Sequence, residues 1–333
     1  MAKPVIAFIT GGYSRESVIS YQSAITIDKN LDHGRYEVYK IDITPTGWHY
    51  LPGAGAPAVE VNRNDFSIES GGKKIRFDAV FVGIHGTPGE DGKLQGYFDL
   101  LNLPYTSCNA PTSALTFNKR YTVAVAAFAG IHVARSLHIF KYHPVAAPEI
   151  TAQLQLPVFV KPNNGGSSIG MSKVTAPGEL EAALEKAFRE DDQVLVEEFI
   201  SGREITVGVF RNQGKITVLP MTEIVPKKDF FDYEAKYTAG MSEEITPAQM
   251  GEEMTAKIRA AAIKVYEVFN CSGVVRIDFI YHAERQQPYM LEVNTVPGQS
   301  EASIVPQMVR AMGWSLTDFY TALIEEALGR HHS

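Results

Sequence analysis

The chain is poor in several features, and each shortage removes a class of protein. It has only two cysteines, Cys108 and Cys271, far apart in the sequence and with no second cysteine beside either. That count makes neither a disulfide framework nor a cysteine zinc site, and it fits a reducing, cytoplasmic setting. Long apolar runs are also missing. The longest patch, VAVAAFAG, is far below the roughly 20 residues of a membrane span, and MAKPVIAFITGG has too short an apolar run for a secretory leader. Neither charge dominates: 31 Lys and Arg face 38 Asp and Glu, a formal net charge of -7, with no polybasic block. A nucleic-acid surface is therefore not expected, although a local basic cleft for a small anion remains open. There is no G-x-x-x-x-G-K-[ST] loop and no G-x-G-x-x-G fingerprint. Internal repeats and low-complexity segments are also missing.

What remains is a chain of 333 residues, 45% of them hydrophobic, long enough for two or three domains. VIAFIT runs into Gly11-Gly12. The helically spaced SVISYQSAITIDKNL follows, then the strands YEVYKIDI and DAVFVGI and the short helix KLQGYFDLLN. Apolar strands alternating with helices predict a doubly wound parallel sheet, whose ligands sit beyond the carboxyl ends of its strands. The loops GGYSRES and HGTPGEDG fall there. A second region starts near Pro111 with the helical TSALTFNKRYTVAVAAFAG and continues through VFVKPNNGGSSIGMSKV, GELEAALEKAFRE and QVLVEEF. A third begins at GREITVGVFRNQ. It includes the aperiodic polar stretch PKKDFFDYEAKYTAGMSEEITP, too long for an ordinary connection and read as a functional lid or as disorder. The helix after it carries Met254, Ile258, Ala262, Val265 and Phe269 on one stripe, and Ser315 is placed to cap a closing helix.

The chemistry concentrates in VVRIDFIYHAERQQPYMLEVNTVPG. Strand alternation puts Arg276, Asp278 and Ile280 on one face, and Glu292 and Asn294 share a face of the return strand after a turn at HAERQQP. If those faces meet, two carboxylates, an amide and a guanidinium converge, and the hard oxygen donors suit Mg²⁺. A solvated sheet face with an Arg–carboxylate pair is the plainer alternative. VKPNNGGSSIG offers backbone N–H groups that can cradle phosphate, or is simply a hairpin turn. It also satisfies G-x-S-x-G over Gly166–Gly170, but a nucleophile elbow needs a helix next, whereas IGMSKVT continues as strand and Pro177-Gly178 breaks the chain. Singly, HGTPGEDG and GGYSRES are weak signals; Glu16 is either a binding carboxylate or a first-turn residue. Lys236 and Tyr237 in EAKY would bring a cation and a phenol to a site on lid closure, or are ordinary loop residues.

Together GGYSRE, HGTPGEDGKLQGYFDLLNLPYT, VKPNNGGSSIGMSKV, DYEAKY and RIDFI…LEVNTVPGQSEASIVPQM resemble the D-alanine–D-alanine ligases of the ATP-grasp superfamily, in family order over nearly the whole chain. The resemblance implies a three-domain α/β fold. A doubly wound N-terminal domain (1–108) would be followed by two α+β lobes that clasp ATP (109–196 and 197–330), with a lid at about 226–246. It implies ATP-driven joining of two D-alanines through an acyl phosphate, for peptidoglycan precursors. ATP, two Mg²⁺ ions (with Mn²⁺ as a substitute) and a cytoplasmic homodimer belong to the same expectation, with neither nucleic acid nor membrane as partner. Asp278, Glu292 and Asn294 would hold the metals, and Arg276 with the Gly298 amide would stabilise the transferring phosphoryl group and the oxyanion. Lys119, Lys161, Ser167, Ser168, Glu197, Phe199, Ile200, Glu204 and Lys236 would bind ATP. Glu16, Ser167 and Tyr237 would form a hydrogen-bonded set at the first substrate near His85, and Ser303 would take the second substrate's carboxylate. Because depsipeptide-forming relatives tend to lack the tyrosine, Tyr237 implies D-alanine rather than D-lactate in second place. The chain departs from the family pattern at Ser17 and Val18, usually a base and an acid, and at Glu198-Phe199, often Lys-Trp. A backbone contact to adenine should survive the second change. A different ATP-grasp carboxylate–amine ligase and a non-catalytic nucleotide binder are the competing readings.

Overall fold

Alternation along the strand Val5–Gly11 decides how the first sheet is covered. Ile6 and Phe8 point to one side, against Ala24 and Ile27 of the helix Ser17–Asn30. Ala7 and Ile9 point to the other, against Leu94 and Phe98 of the helix Lys93–Leu100. All four strand residues are fully buried, so this sheet has helices on both faces, as doubly wound folds do. Its order is Val59–Glu60, Gly47–Tyr50, Glu37–Thr44, Val5–Gly11, Ala79–Val82. The three strands around Val5–Gly11 pair in parallel, but Gly47–Tyr50 and Val59–Glu60 add on antiparallel. The reason is local: residues 45–46 alone join two of these strands, and a parallel crossover needs a dozen residues or more.

In this computed structural model residues 2–53, 55–166, 168–226 and 242–330 are described. The second sheet runs Ser172–Val174, Val158–Pro162, Gln193–Glu198, Ser136–Phe140, all antiparallel. Val158, Val160, Val194 and Val196 pack on Ile150 and Leu180 of the helices outside it. By the same period of two, Phe159, Lys161, Leu195 and Glu197 belong to the opposite face. The third sheet runs Ser242–Ile245, Thr222–Pro226, Arg203–Asn212, Val275–His282, Gln287–Asn294, with Lys215–Val218 pairing to the Arg203–Asn212 strand. Ile205, Val207, Val209, Ile277 and Phe279 pack against Ile258, Ala262 and Val265 of the helix Glu252–Val268, with Phe269 just beyond its end and Met254 at the edge of the cluster. Glu204, Thr206, Arg276 and Asp278 alternate with those strand residues, so the polar face of this sheet is the one left to the cleft.

Three local features depart from the pattern reading. The apolar stretch after Pro111 is two helices, Ala110–Phe117 and Lys119–Phe128, because Asn118 adopts an extended conformation and its side chain caps the second through Tyr121 N. The hairpin turn is shorter than HAERQQP: Gln287 and Pro288 already belong to the return strand, opposite His282 and Tyr281. That strand is the edge of its sheet, where proline is tolerated. The third feature is the pair of cysteines. Both are buried in one core cluster, and the Cys108 thiol bonds to Ser272, next to Cys271. Ser315 caps the last helix as expected, its hydroxyl accepting from Asp318 N at 3.0 Å. No helix among the described residues is long and apolar enough to cross a membrane.

Candidate active site

Strand register brings the four residues of the hairpin together. Asp278 stands opposite Glu292, Arg276 opposite Asn294, and Thr206 opposite Asp278 on the other side. The Arg276 guanidinium lies 3.0 Å from Asp278 Oδ2 and 3.7 Å from Glu292 Oε1, and the Thr206 hydroxyl donates to Asp278 Oδ1. Burial works against the guanidinium's charge, but Asp278 first and Glu292 next outweigh it, so the Arg276 pKa is raised and the charge is held. One guanidinium thus lies between two carboxylates beside a cleft, with hard oxygens as the donors. No cluster of three or more His, Cys, Asp or Glu side chains suited to a metal occurs among the described residues. The donor set here is two carboxylates and an amide, which suits Mg²⁺ or Mn²⁺ far better than Zn²⁺. Asn294 Oδ1 also accepts from Val296 N at 3.1 Å, which fixes the amide at the end of its strand.

Two cavities of about 360 and 430 Å³ meet at this point, sharing Lys119, Gly165, Gly166, Glu204, Asp278 and Glu292 on their walls. The first extends toward Glu16, His85 and Ser303. Glu16, buried at the start of the first helix, lies with its Oε1 3.8 Å from His85 Nε2. On the other side of the ring, His85 Nδ1 is 2.7 Å from Val296 O and 3.5 Å from Glu90 Oε2. Glu90 in turn accepts from Gly86 N and Val296 N. Burial disfavours the imidazolium, yet Glu90 and Glu16 overcome it and raise the His85 pKa; burial also raises that of Glu90. Space around Glu16 is tight. A Cβ on Gly86 would come within 2.5 Å of Glu16 Oε2, and one on Gly166 within 2.7 Å of Oε1. The glycine loop of the second sheet therefore touches the carboxylate of the first helix. At the far end Ser300 Oγ and Ser303 Oγ are 2.8 Å apart, and Ser303 starts the helix Ile304–Ala311. The Gly298 backbone passes close by, its would-be Cβ 3.1 Å from Ser303 Oγ.

The second cavity is less polar. Phe159 and Phe199 form part of its wall with ring centroids 5.9 Å apart, and Lys173 Nζ sits 4.4 Å above the Phe199 ring. Ile200, Met171, Ile280 and Leu291 add to the apolar lining, and Glu197 and Glu204 are among its acids. Lys161 pairs with Glu197. Lys119 Nζ donates to Gly165 O at 2.5 Å, tethering the glycine loop to the start of a helix. Ser168 has a left-handed backbone (φ 57°), and its hydroxyl is buried without a partner among the described residues. The amides of Glu198 and Phe199 are committed to Arg135 O and Pro157 O. The Glu198 carboxylate accepts from Gln155 N and faces Arg135 at 3.6 Å.

The structure thus gathers Glu16, His85, Lys119, Lys161, Ser168, Glu197, Phe199, Ile200, Glu204, Arg276, Asp278, Glu292, Asn294, Gly298 and Ser303 around one bipartite cleft. Ser167, Lys236 and Tyr237 lie outside the described residues. Val18 is 61% exposed, so the departure there disturbs no packing. Sequence reasoning passed over Glu90, Thr206 and Glu244. Glu90 sat in a quoted motif, but its partner Val296 is 206 positions away. Thr206 belongs to an apolar strand with no local mark. Glu244 lines the Ser303 end of the first cavity, held by Gln307 Nε2 at 2.7 Å.

A family model described as D-ala D-ala ligase N-terminus matches residues 5–108, and one described as D-ala D-ala ligase C-terminus matches residues 118–325. A D-alanine–D-alanine ligase of Flavobacterium johnsoniae is 46% identical over 97% of this chain and 99% of its own length. One from Azobacteroides pseudotrichonymphae is 43% identical over 96% and 98%. Among solved structures, the VanG D-Ala:D-Ser ligase of Enterococcus faecalis superposes with a TM-score of 0.88 at 33% identity, over 98% of this chain and all of the other. The D-alanyl-alanine synthetase A of Vibrio cholerae does so with 0.87 at 29% identity, over 98% and 99%.

Proposed function

The chain belongs to the D-alanine–D-alanine ligase family, and from that premise we propose that it joins two D-alanines at the expense of ATP, supplying a cell-wall precursor. The observation that carries this reading is the bipartite cleft itself: an apolar slot with two lysines and a polar slot with Glu16 and Ser303 meet at Arg276, Asp278 and Glu292. A different ATP-grasp ligase is not favoured, since curated relatives over nearly the whole length carry one activity.

Joining two amino acids in water is uphill, because a carboxylate is a poor electrophile and the attacking amine is protonated. In the proposed route a carboxylate oxygen of the first D-alanine attacks the γ-phosphorus of ATP, giving an acyl phosphate and ADP. The amine of the second, having lost a proton, attacks the acyl carbon, and the tetrahedral intermediate expels phosphate. Such chemistry depends on positioning and on neutralising charge. Glu16 holds the first ammonium, and the buried His85 and Glu90 behind it keep that carboxylate in place. Ser167 and Tyr237 complete this set, and Ser303 takes the second carboxylate. Tyr237 further implies that this second substrate is D-alanine and not D-lactate. Lys119, Lys161, Ser168 and Lys236 meet the phosphates. Glu197, Phe199 and Glu204 form the base and ribose end, where a backbone contact to adenine falls to the Ile200 amide and the hinge carbonyls. Arg276 stabilises the phosphoryl group in flight and the later oxyanion, with the Gly298 amide as a second donor; one such donor typically contributes about 3 kcal/mol. Asp278, Glu292 and Asn294 fit two Mg²⁺ ions, which when bound supply charge neutralisation at the phosphates. The division at 1–108, 109–196 and 197–330, a C₂ homodimer and a cytoplasmic location belong to the same reading.

Phosphate release from Mg·ATP tests it. Release that needs D-alanine and yields the dipeptide supports the proposal; release with another amino acid only would replace it by a different ligase, and none at all by a nucleotide binder.

A further inference from the structure

We propose that Cys108 and Cys271 are an oxidisable pair that closes to an intrachain disulfide, stapling the end of the first domain to the base of the strand that carries Arg276 and Asp278. The two residues are held together by a tight seam. Cys108 Sγ donates to Ser272 O at 3.2 Å and accepts from Ser272 N at 3.4 Å, which puts it beside the backbone of Cys271, the preceding residue, whose side chain lies in the same buried cluster. Around them Ser272 Oγ donates to Ser107 O at 3.1 Å, and Thr112 Oγ1 to Phe269 O at 2.7 Å. Gly273, at φ 63°, lies so close to Thr106 that a Cβ would stand 1.9 Å from its carbonyl oxygen. The backbones that carry the two cysteines are thus held against each other at the residues next to them, Ser107 and Ser272.

Access decides the order of events. Cys108 is fully buried, whereas Cys271 is 3% exposed on the wall of a surface cavity of about 1040 Å³, shared with Arg211, Asn270, Trp314 and Glu325. A small oxidant of the hydroperoxide class reaches Cys271 first. The Cys271 thiolate attacks the peroxide, forming S–O as O–O breaks and water leaves. Cys108 then attacks that sulfur, S–S forms, and the sulfenic oxygen departs as a second water. Overall two thiols and one H₂O₂ give one disulfide and two waters. The neighbouring Cys108 thiol and burial both raise the Cys271 pKa, so the reaction is slow at neutral pH and quickens as pH rises. Neither sulfur borders the substrate cleft, and the staple closes a very long loop. Its expected effect is a higher Tm, by about 5–10 °C, with turnover kept within about twofold.

The test treats the whole protein with hydrogen peroxide or diamide, alkylates remaining thiols under denaturing conditions, and maps peptides without reduction. The Cys108 and Cys271 peptides should appear joined, separate again with dithiothreitol, and accumulate faster at higher pH, together with the Tm rise. In Cys108→Ser, Cys271 should instead be captured by dimedone as a sulfenic acid, with no gain in Tm. Full alkylation of both cysteines after oxidation, over-oxidised Cys271 beside an intact Cys108, or cross-links between chains would each overturn the proposal.

Discussion

The two ends of the cleft are built on different principles. The end lined by Phe159, Phe199, Met171 and Ile280 takes its shape from two sheets facing each other, with Phe159 and Ile280 delivered by strand alternation and Met171 and Phe199 from just outside strand ends. The end around Glu16, His85 and Ser303 is assembled from loop ends of distant segments and relies on buried charge. An apolar slot tolerates modest change, because dispersion and burial are shared among many atoms. A buried charge network does not, because removing one partner leaves another uncompensated. The difference should be visible in which kinetic parameter each substitution moves.

The seam between the two ends should be the most sensitive. Glu292→Gln keeps shape but removes a charge shared by both cavities, and turnover should fall by about 10³-fold or more with Tm nearly unchanged; near-normal steady-state rates would remove this residue from the phosphate centre. Glu16→Gln should act on one end alone, raising the KM for the first D-alanine by about 30–150-fold, from the roughly 2–3 kcal/mol attached to a buried charged contact, while the KM for ATP stays put. Equal shifts in both constants would erase the proposed separation. Phe199→Ala should give the mirror image: a KM for ATP about tenfold higher, from the loss of roughly 1–2 kcal/mol of stacking, and unaltered D-alanine kinetics. The smallest effect concerns pH. His85 and Glu90 both have raised pKa values in the folded chain. The native state therefore binds more protons than the unfolded one above the ordinary imidazole value of about 6.5. The stability that His85 contributes is present in full below that value and is lost as pH rises through its folded pKa, at no more than about 1.4 kcal/mol per pH unit for one proton. Denaturant titrations across this window should show the decline in the wild type and a flatter profile in His85→Asn; identical profiles would mean that the proton is not held there.

The same contrast explains what could be read in the sequence. The register of Asp278 against Glu292 was not legible, because a β-bulge between Asp278 and Phe279 slips the pairing by one residue toward the turn; the polar face of each strand was, because its opposite side is buried. The helix stripe of Met254, Ile258, Ala262 and Val265 was legible for the same reason. Loop assembly was not. His85 and Glu90 are close in the chain, yet what holds them is the Val296 carbonyl and amide, and no periodicity announces a contact across 211 positions. The antiparallel edge of the first sheet was missed because a two-residue connection outweighed the βα rhythm around it. The cysteines were judged by their sequence separation, which carries no information about a contact between segments 164 positions apart.

Pro288 has a consequence beyond the local geometry of the hairpin. The strand Gln287–Asn294 ends its sheet, and an unguarded strand edge is a template for pairing with another chain. Pro288 presents no N–H along that edge, and two residues on, Met290 N is occupied by His132 O at 2.8 Å. The strand that carries Glu292 and Asn294 is thereby shielded at this end from recruiting a neighbour's backbone, which guards the molecule against aggregating through this hairpin.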